Sequence, residues 1–211
     1  MVTLHYFPSN ANVAPHMLLE AIGAPFELAL VDCDQQQQRS AAYLALNPHG
    51  RIPTLVDGDL VVYETAAICL YLVDKHPDAE LAPLVGTASR AHFYKWLIHL
   101  TNTVQAEMRP YFYPEQHVRD KAHEEDVKTT AEARLFAMFR TIDPLLGDGP
   151  YLLGSKPSAV DHYLLMLVRW TRNMKKPASS LPNIRRHAER MLTRPAVMRA
   201  FATERLTPPY I

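Results

Sequence analysis

The sequence predicts a chain in two parts, a small α/β domain followed by an all-α domain. Residues 1 to about 76 alternate strand-like and helix-like segments, whereas from about Thr87 onward apolar residues recur at helical steps. Between them "HPDAELAPLVG" is rich in proline and small residues, as linkers are. The domains are expected at residues 1–78 and 87–211, joined by 79–86.

Taken in order, "VTLHYF" is β-prone, and "APHMLLEAI" reads as a helix with Pro15 in its first turn and Gly23 just past its end. "FELALVDC" is a second strand, with Phe26, Leu28 and Leu30 on one face. "DQQQQRSAAYLALNP" is polar and reads as loop with a short helix. "PTLVDGDLVVY" holds two short strands around Asp57-Gly58, a hairpin signal. "ETAAICLYLVDKH" is a helix, acidic at its start and basic at its end, as the helix dipole favours. In the second half, Phe93, Leu97, Leu100, Val104 and Met108 mark one long helix. Val127, Ala131, Leu135, Met138, Ile142 and Leu145 mark the next. "SAVDHYLLMLVRW" is almost wholly apolar and belongs at the centre of that half, and Pro182 and Pro195 open two further helices.

Composition excludes several classes. Lys+Arg and Asp+Glu are equal at 22 each, so no bulk basic field points to nucleic acid or an anionic membrane. No apolar run approaches the roughly 20 residues of a membrane span. The first residues lack a basic region followed by an apolar stretch, so a secretory signal is not expected. Cys33 and Cys69 are too few and too far apart for a disulfide framework or a zinc site. His5, His16, His92 and His99 lack metal-ligand spacing, so no metal is expected. The composition suits the cytoplasm.

Three short stretches carry chemistry. In "NPHGRIPTL", Pro53 stands at a strand start. A trans proline there would sit at a sheet edge; a cis Ile52–Pro53 bond would turn the main chain of Ile52 outward, able to pair with an extended peptide. Base rates alone favour trans. Glu64-Thr65 open a helix after the hairpin. They suit a helix cap, and equally a site where first-turn amides and the Thr65 hydroxyl hold a carboxylate while Glu64 holds an ammonium. Ser158 and Asp161 have the spacing of a reciprocal capping box, a structural feature.

Over nearly its whole length the chain resembles the bacterial cytosolic glutathione transferases. The resemblance is carried by "NPHGRIPTL", "YETAAICLYL", "PSAVDHYLLMLVRW" and "RPAVMRAF", in this order and spacing. It implies a thioredoxin-like first domain, a helical second domain, a homodimer, and glutathione as co-substrate with no permanently bound cofactor. It also reverses the expectation for Pro53, because the family's proline there is cis. By resemblance Glu64 and Thr65 bind the γ-glutamyl end of glutathione, Ile52 pairs with its cysteinyl main chain, and Arg51 and Gln35 approach its glycyl end or its backbone. The co-substrate pocket would be lined by Tyr6, Tyr111, Phe112, Tyr113 and Trp170, of which Trp170 matches a tryptophan of the beta class.

The beta class has a cysteine in the opening loop and a histidine on the first long helix. Here those places hold Ala11 and Gln105, so a mixed disulfide with glutathione is not expected. The loop "PSNAN" instead offers Ser9, Asn10 and Asn12, with Tyr6 upstream. A free thiol titrates near 8.5, so lowering it by about two units takes roughly 2.7 kcal/mol. A charge-assisted hydrogen bond from Ser9 supplies about 1.5–3 kcal/mol and a helix start about 0.3–1 kcal/mol. Asn12 is expected both as a donor and as the N-cap of the following helix. The leading expectation is thus a transferase in which Ser9 stabilises the glutathione thiolate for attack on a small hydrophobic electrophile. A glutathione-dependent disulfide reductase or peroxidase, and a weakly catalytic regulatory protein of the same fold, are the alternatives.

Overall fold

Alternating apolar residues on the first strand decide where the sheet stands. A computed structural model describes residues 1–211, and in it β1 (Val2–Tyr6) lies between β2 (Phe26–Leu30) and β3 (Thr54–Asp57), with β4 (Leu60–Tyr63) outermost. β1 and β2 are parallel, whereas β3 runs antiparallel to β1 and β4 antiparallel to β3. Gly58, at φ 61°, supplies the left-handed residue that the hairpin between β3 and β4 requires.

Successive side chains of a strand point to opposite faces, and β1 uses both. Its His5 ring meets Tyr43 of α2 (Ala41–Leu46) edge-on at 5.9 Å. The neighbouring Tyr6 ring lies 6.4 Å from His16 of α1 (Val13–Ile22). Helices α1 and α2 therefore cover opposite faces, and α3 (Thr65–Lys75) packs against α1. Helix α1 carries Pro15 in its first turn and stops at Gly23, at φ 74° with its amide bonded to Leu19 O.

The second unit is helical. Helices α4 (Ala88–His99) and α5 (Ala106–Phe112) are joined by a π-helical stretch, Leu100–Gln105, so the predicted long helix is one helical run with a widened middle. Phe93, Leu97, Leu100, Val104 and Met108 are all buried along it. In α6 (Glu124–Leu146) the buried set is Ala131, Leu135, Phe139, Ile142 and Leu146. Met138 and Leu145, expected on the core face, are half-buried and 57% exposed, because the buried stripe steps by four and three through Leu135, Phe139, Ile142 and Leu146 and leaves them beside it. Helix α7 (Ala159–Trp170) is buried over all but its last residue, and α8 (Pro182–Leu192) and α9 (Pro195–Thr203) start at the predicted prolines.

The terminal segment departs from the expected division. The sequence reading carries the helical half to residue 211, yet Leu192–Pro208 pack with Met1–Ala82, and α9 lies on α1. Pro83–Met191 and Pro209–Ile211 form the other unit. The physical reason is that α9 buries Ala196, Val197, Ala200 and Phe201, and an apolar face carries no sign of which partner it covers.

The capping box at Ser158 and Asp161 forms. Ser158 N and Oγ donate to Asp161 Oδ2 at 2.8 and 2.9 Å, and Asp161 Oδ1 accepts from Leu152 N and pairs with His187 Nε2, each at 2.9 Å. Burial pushes the Asp161 carboxyl up, but the His187 bond and charge with the two main-chain donors outweigh it and hold the carboxyl below its ordinary range. A carboxyl depressed in the folded state stabilises fully above its unfolded value, about pH 4, and loses that contribution as pH falls through the folded value. Asp161→Asn should cost about 3–5 kcal/mol at neutral pH. Urea midpoints should show this gap to wild type narrowing once the pH falls below about 4.

Candidate active site

Strand register brings the candidate residues to one end of the sheet. Tyr6 stands opposite Leu30, so the loops leaving β1 and β2 start at the same end. Strand β3 begins there, with Thr54 opposite His5, and β4 ends there, with Tyr63 opposite Thr54. Residues 7–12, 31–36, 51–53 and 64–65 therefore emerge together. The strand order β2-β1-β3-β4 puts Gln35 and Glu64 at opposite edges, three strand spacings or roughly 14 Å apart.

The Ile52–Pro53 bond is cis. The stretch that bears it is held from below: Arg51 O accepts from Tyr43 Oη at 2.7 Å and from Asn47 Nδ2 at 2.9 Å. Both side chains also reach Thr54 Oγ1, at 2.9 and 3.3 Å. Gly50 makes the preceding turn at φ 58°, and a Cβ there would stand 2.8 Å from Gln38 O. Pro53 and Thr54 are buried, Ile52 is half-buried, and the Arg51 side chain is exposed. Tyr43 and Asn47 went unremarked in the sequence, because their spacing to Arg51 and Thr54 matches no periodic pattern.

At the far edge, Glu64 has φ 74°, a left-handed conformation unusual for a residue with a Cβ. Its side chain is exposed and makes no capping bond. The capping role weighed for it is not the one it plays. The first helical bond of α3 runs from Ile68 N to Glu64 O, so the Thr65, Ala66 and Ala67 amides lie ahead of the ladder, where an anion is favoured. Gln35, in the loop after β2, is exposed, with its own amide bonded to Asp32 Oδ1 at 3.1 Å. Cys33 in the same loop carries a thiol raised by burial and by the flanking Asp34 and Asp32, while burial alone raises that of Cys69. Neither is poised as a thiolate.

The opening loop is tightly braced. Ser9 is also left-handed, at φ 66°, and its amide donates to Glu204 Oε2 at 3.0 Å. Asn12 is wholly buried, accepting from Phe7 N at 3.2 Å and donating to Glu204 Oε1 at 2.8 Å. The expected role of Asn12 as a side-chain cap is corrected: it precedes α1 without capping it, its amide oxygen turned to Phe7 N and its nitrogen to Glu204. Asn10 is half-buried, its Nδ2 donating to Pro8 O at 3.3 Å. Tyr6 belongs to the strand and packs beside the His16 ring. Glu204 was not singled out in the sequence, since one acid in "AFATERL" carries no motif.

In the helical unit Phe112 lies edge-on to Tyr111 and to Trp170, at centroid distances of 5.0 and 6.2 Å. Phe112 and Tyr113 are 44% and 48% exposed, and Trp170 is half-buried at the end of α7. Gln105 ends the π-helical stretch and accepts a hydrogen bond from Tyr163 Oη, which itself accepts from Thr101 Oγ1 at 2.5 Å.

Left-handed Ser9 bears on its own stability. A residue with a Cβ costs about 1–2 kcal/mol in that region relative to glycine. Ser9→Gly should therefore be about 1 kcal/mol more stable than Ser9→Ala by urea denaturation, although both lack the hydroxyl.

The N-terminal domain model of the glutathione S-transferases matches residues 1–74, and their C-terminal domain model matches residues 101–195. The glutathione S-transferase GstA of Escherichia coli O157:H7 is 30% identical over 206 residues, covering 96% of this chain and 98% of its own. The solved glutathione S-transferase of Xylella fastidiosa superposes with a TM-score of 0.90 at 28% identity, covering 98% of this chain and all (100%) of that one. A sphingomonad glutathione S-transferase complexed with glutathione gives 0.85 at 27% identity, covering 97% and 100%.

Proposed function

The chain belongs to the glutathione S-transferase family, and from that premise we propose that it conjugates glutathione to small hydrophobic electrophiles, with Ser9 as donor to the glutathione thiolate. The observation that carries this is Ser9 itself. A loop that needs a left-handed residue is served best by glycine, yet a serine is held there, by a carboxylate on its amide. A strained residue at the C-terminal end of a central strand is where functional groups concentrate.

Glutathione anchored at Glu64 and Thr65 reaches Ile52 first, one strand away, and Gln35 last. Its α-carboxylate takes the first-turn amides of α3 and the Thr65 hydroxyl, and its ammonium takes Glu64. Residues 51–53 offer the Ile52 main chain to the cysteinyl backbone in strand fashion, with the Arg51 guanidinium toward the glycyl end. The cysteinyl sulfur then falls to the loop of Ser9 and Asn10. No protein nucleophile is needed, because the ligand brings the thiol. The protein only has to favour its ionised form, and a hydroxyl donor beside the start of α1 meets that need. Tyr111, Phe112, Tyr113 and Trp170 supply apolar surface for the electrophile. A homodimer in the cytoplasm belongs to the same proposal.

The test uses the purified protein with glutathione and a chloronitrobenzene. Ser9→Ala should lower kcat about tenfold or more and raise the apparent pKa of the bound thiol, with glutathione affinity nearly kept. Glu64→Gln should instead weaken glutathione binding and change kcat little. Unaltered turnover and pH profile in Ser9→Ala would sink the assignment. Turnover confined to a dithiol-disulfide substrate or a hydroperoxide would replace conjugation by reduction, and tight binding with no turnover would leave a binding protein.

A further inference from the structure

The geometry points to Glu204, 195 residues beyond Ser9 in the chain, as the positioning residue that sets the Ser9 hydroxyl for the thiolate. Its carboxylate is 2% exposed, and three groups of the opening loop and α1 converge on it. Oε2 accepts from Ser9 N at 3.0 Å, while Oε1 accepts from Asn12 Nδ2 and pairs with His16 Nδ1, both at 2.8 Å. Asn12 in turn accepts from Phe7 N. The two ends of the loop and its strained middle thus share one acid.

That acid is itself held firmly. Helix α9 stops at Glu204, whose amide bonds Ala200 O at 3.0 Å. Arg205 turns left-handed at φ 54°, and Leu206 N returns to Phe201 O at 2.9 Å, the paired closure of a helix end. Arg199 anchors α9 to α1 through Glu20, Nε to Oε2 at 2.6 Å and the guanidinium to Glu20 O at 3.0 Å. A buried carboxylate is costly unless its lone pairs are met, and here every donor that meets them belongs to the segment carrying Ser9 or follows it directly.

This reading rests on Ser9 as the thiolate donor, and it predicts the sign of one measurement. A negative charge near a thiolate disfavours it, so removing the Glu204 charge would by electrostatics alone lower the thiol pKa. If Glu204 acts through the placement of Ser9, Glu204→Gln raises it instead. Glutamine keeps one acceptor oxygen where the carboxylate has two, so its NH2 must face either the Ser9 amide or the Asn12 and His16 side, and the loop around the left-handed residue loses part of its restraint.

The experiment is a double-mutant cycle on the full chain, with Ser9→Ala, Glu204→Gln and the pair. It reads kcat, KM for glutathione and a chloronitrobenzene, the ultraviolet thiolate absorbance of bound glutathione against pH, and the urea midpoint. Glu204→Gln is expected to lower kcat about tenfold with little change in KM and to raise the thiol pKa. In the Ser9→Ala background the same change is expected to cost almost nothing further. Full additivity, a lowered thiol pKa, or wild-type kcat in a folded Glu204→Gln overturns the proposal while leaving the Ser9 assignment intact. Wild-type kcat and thiol pKa in Ser9→Ala overturn both. Should Glu204→Gln not fold, Glu204→Asp, with the charge kept and the carboxylate one methylene short, is read in the same cycle. Failure of both to fold makes Glu204 a folding residue and overturns the positioning role.

Discussion

Strand β1 pairs in parallel with β2 and antiparallel with β3, and that mixed pairing governs everything at the site. A parallel neighbour delivers the loop after β2 to the end where β1 finishes, and an antiparallel one starts there. The hairpin to β4 then returns the chain to that end, so α3 begins there with its free amides. Four loops far apart in sequence meet because hydrogen-bond register leaves no other arrangement. Their spacing across the sheet follows from strand separation alone, which is why an extended ligand suits the edge they form.

Buried carboxylates then fix details that register leaves open. Asp161 ties Ser158 and Leu152 to His187. Asp143 accepts from Asn183 N and Nδ2 and from Ile184 N at 2.9–3.0 Å, so an acid of α6 caps the start of α8. Glu204 does the same for the opening loop. Each carboxylate is met by several donors, as burial of charge requires, and each joins segments 26 to 195 residues apart in the chain. Apolar packing is permissive about angle and register; a buried acid with directional partners is not.

The proposed division of chemistry between protein and ligand accounts for what the site lacks. Glutathione carries a nucleophile, two charged ends and an extended backbone. In that proposal the chain answers with donors, an acceptor carboxylate and a strand edge. Its own thiols are held protonated, Cys69 by burial and Cys33 by burial and two aspartates, and Ala11 stands where a related class has a reactive cysteine.

Much of this was legible in the residues. Periodicity of two and of 3.6, proline and glycine placement, and the Asp57-Gly58 turn located the strands and helices, since these signals are local and depend on the backbone alone. The capping box at Ser158 and Asp161 was legible for the same reason. The stretches around Pro53 and Glu64 suited a peptide-like ligand, and the resemblance they carry implied glutathione. Long-range partners were not legible. Asn12 looked like a side-chain cap, yet the fold turns its amide to Glu204; α9 looked like part of the helical half, yet it packs on α1; Leu145 looked buried, yet the stripe runs through Ile142 and Leu146. The sequence by itself determined which segments are strand or helix and which residues can do polar chemistry, because propensity and donor type belong to each residue. Only the tertiary structure decided which polar groups stay available for a ligand, because that depends on which distant segment satisfies the rest.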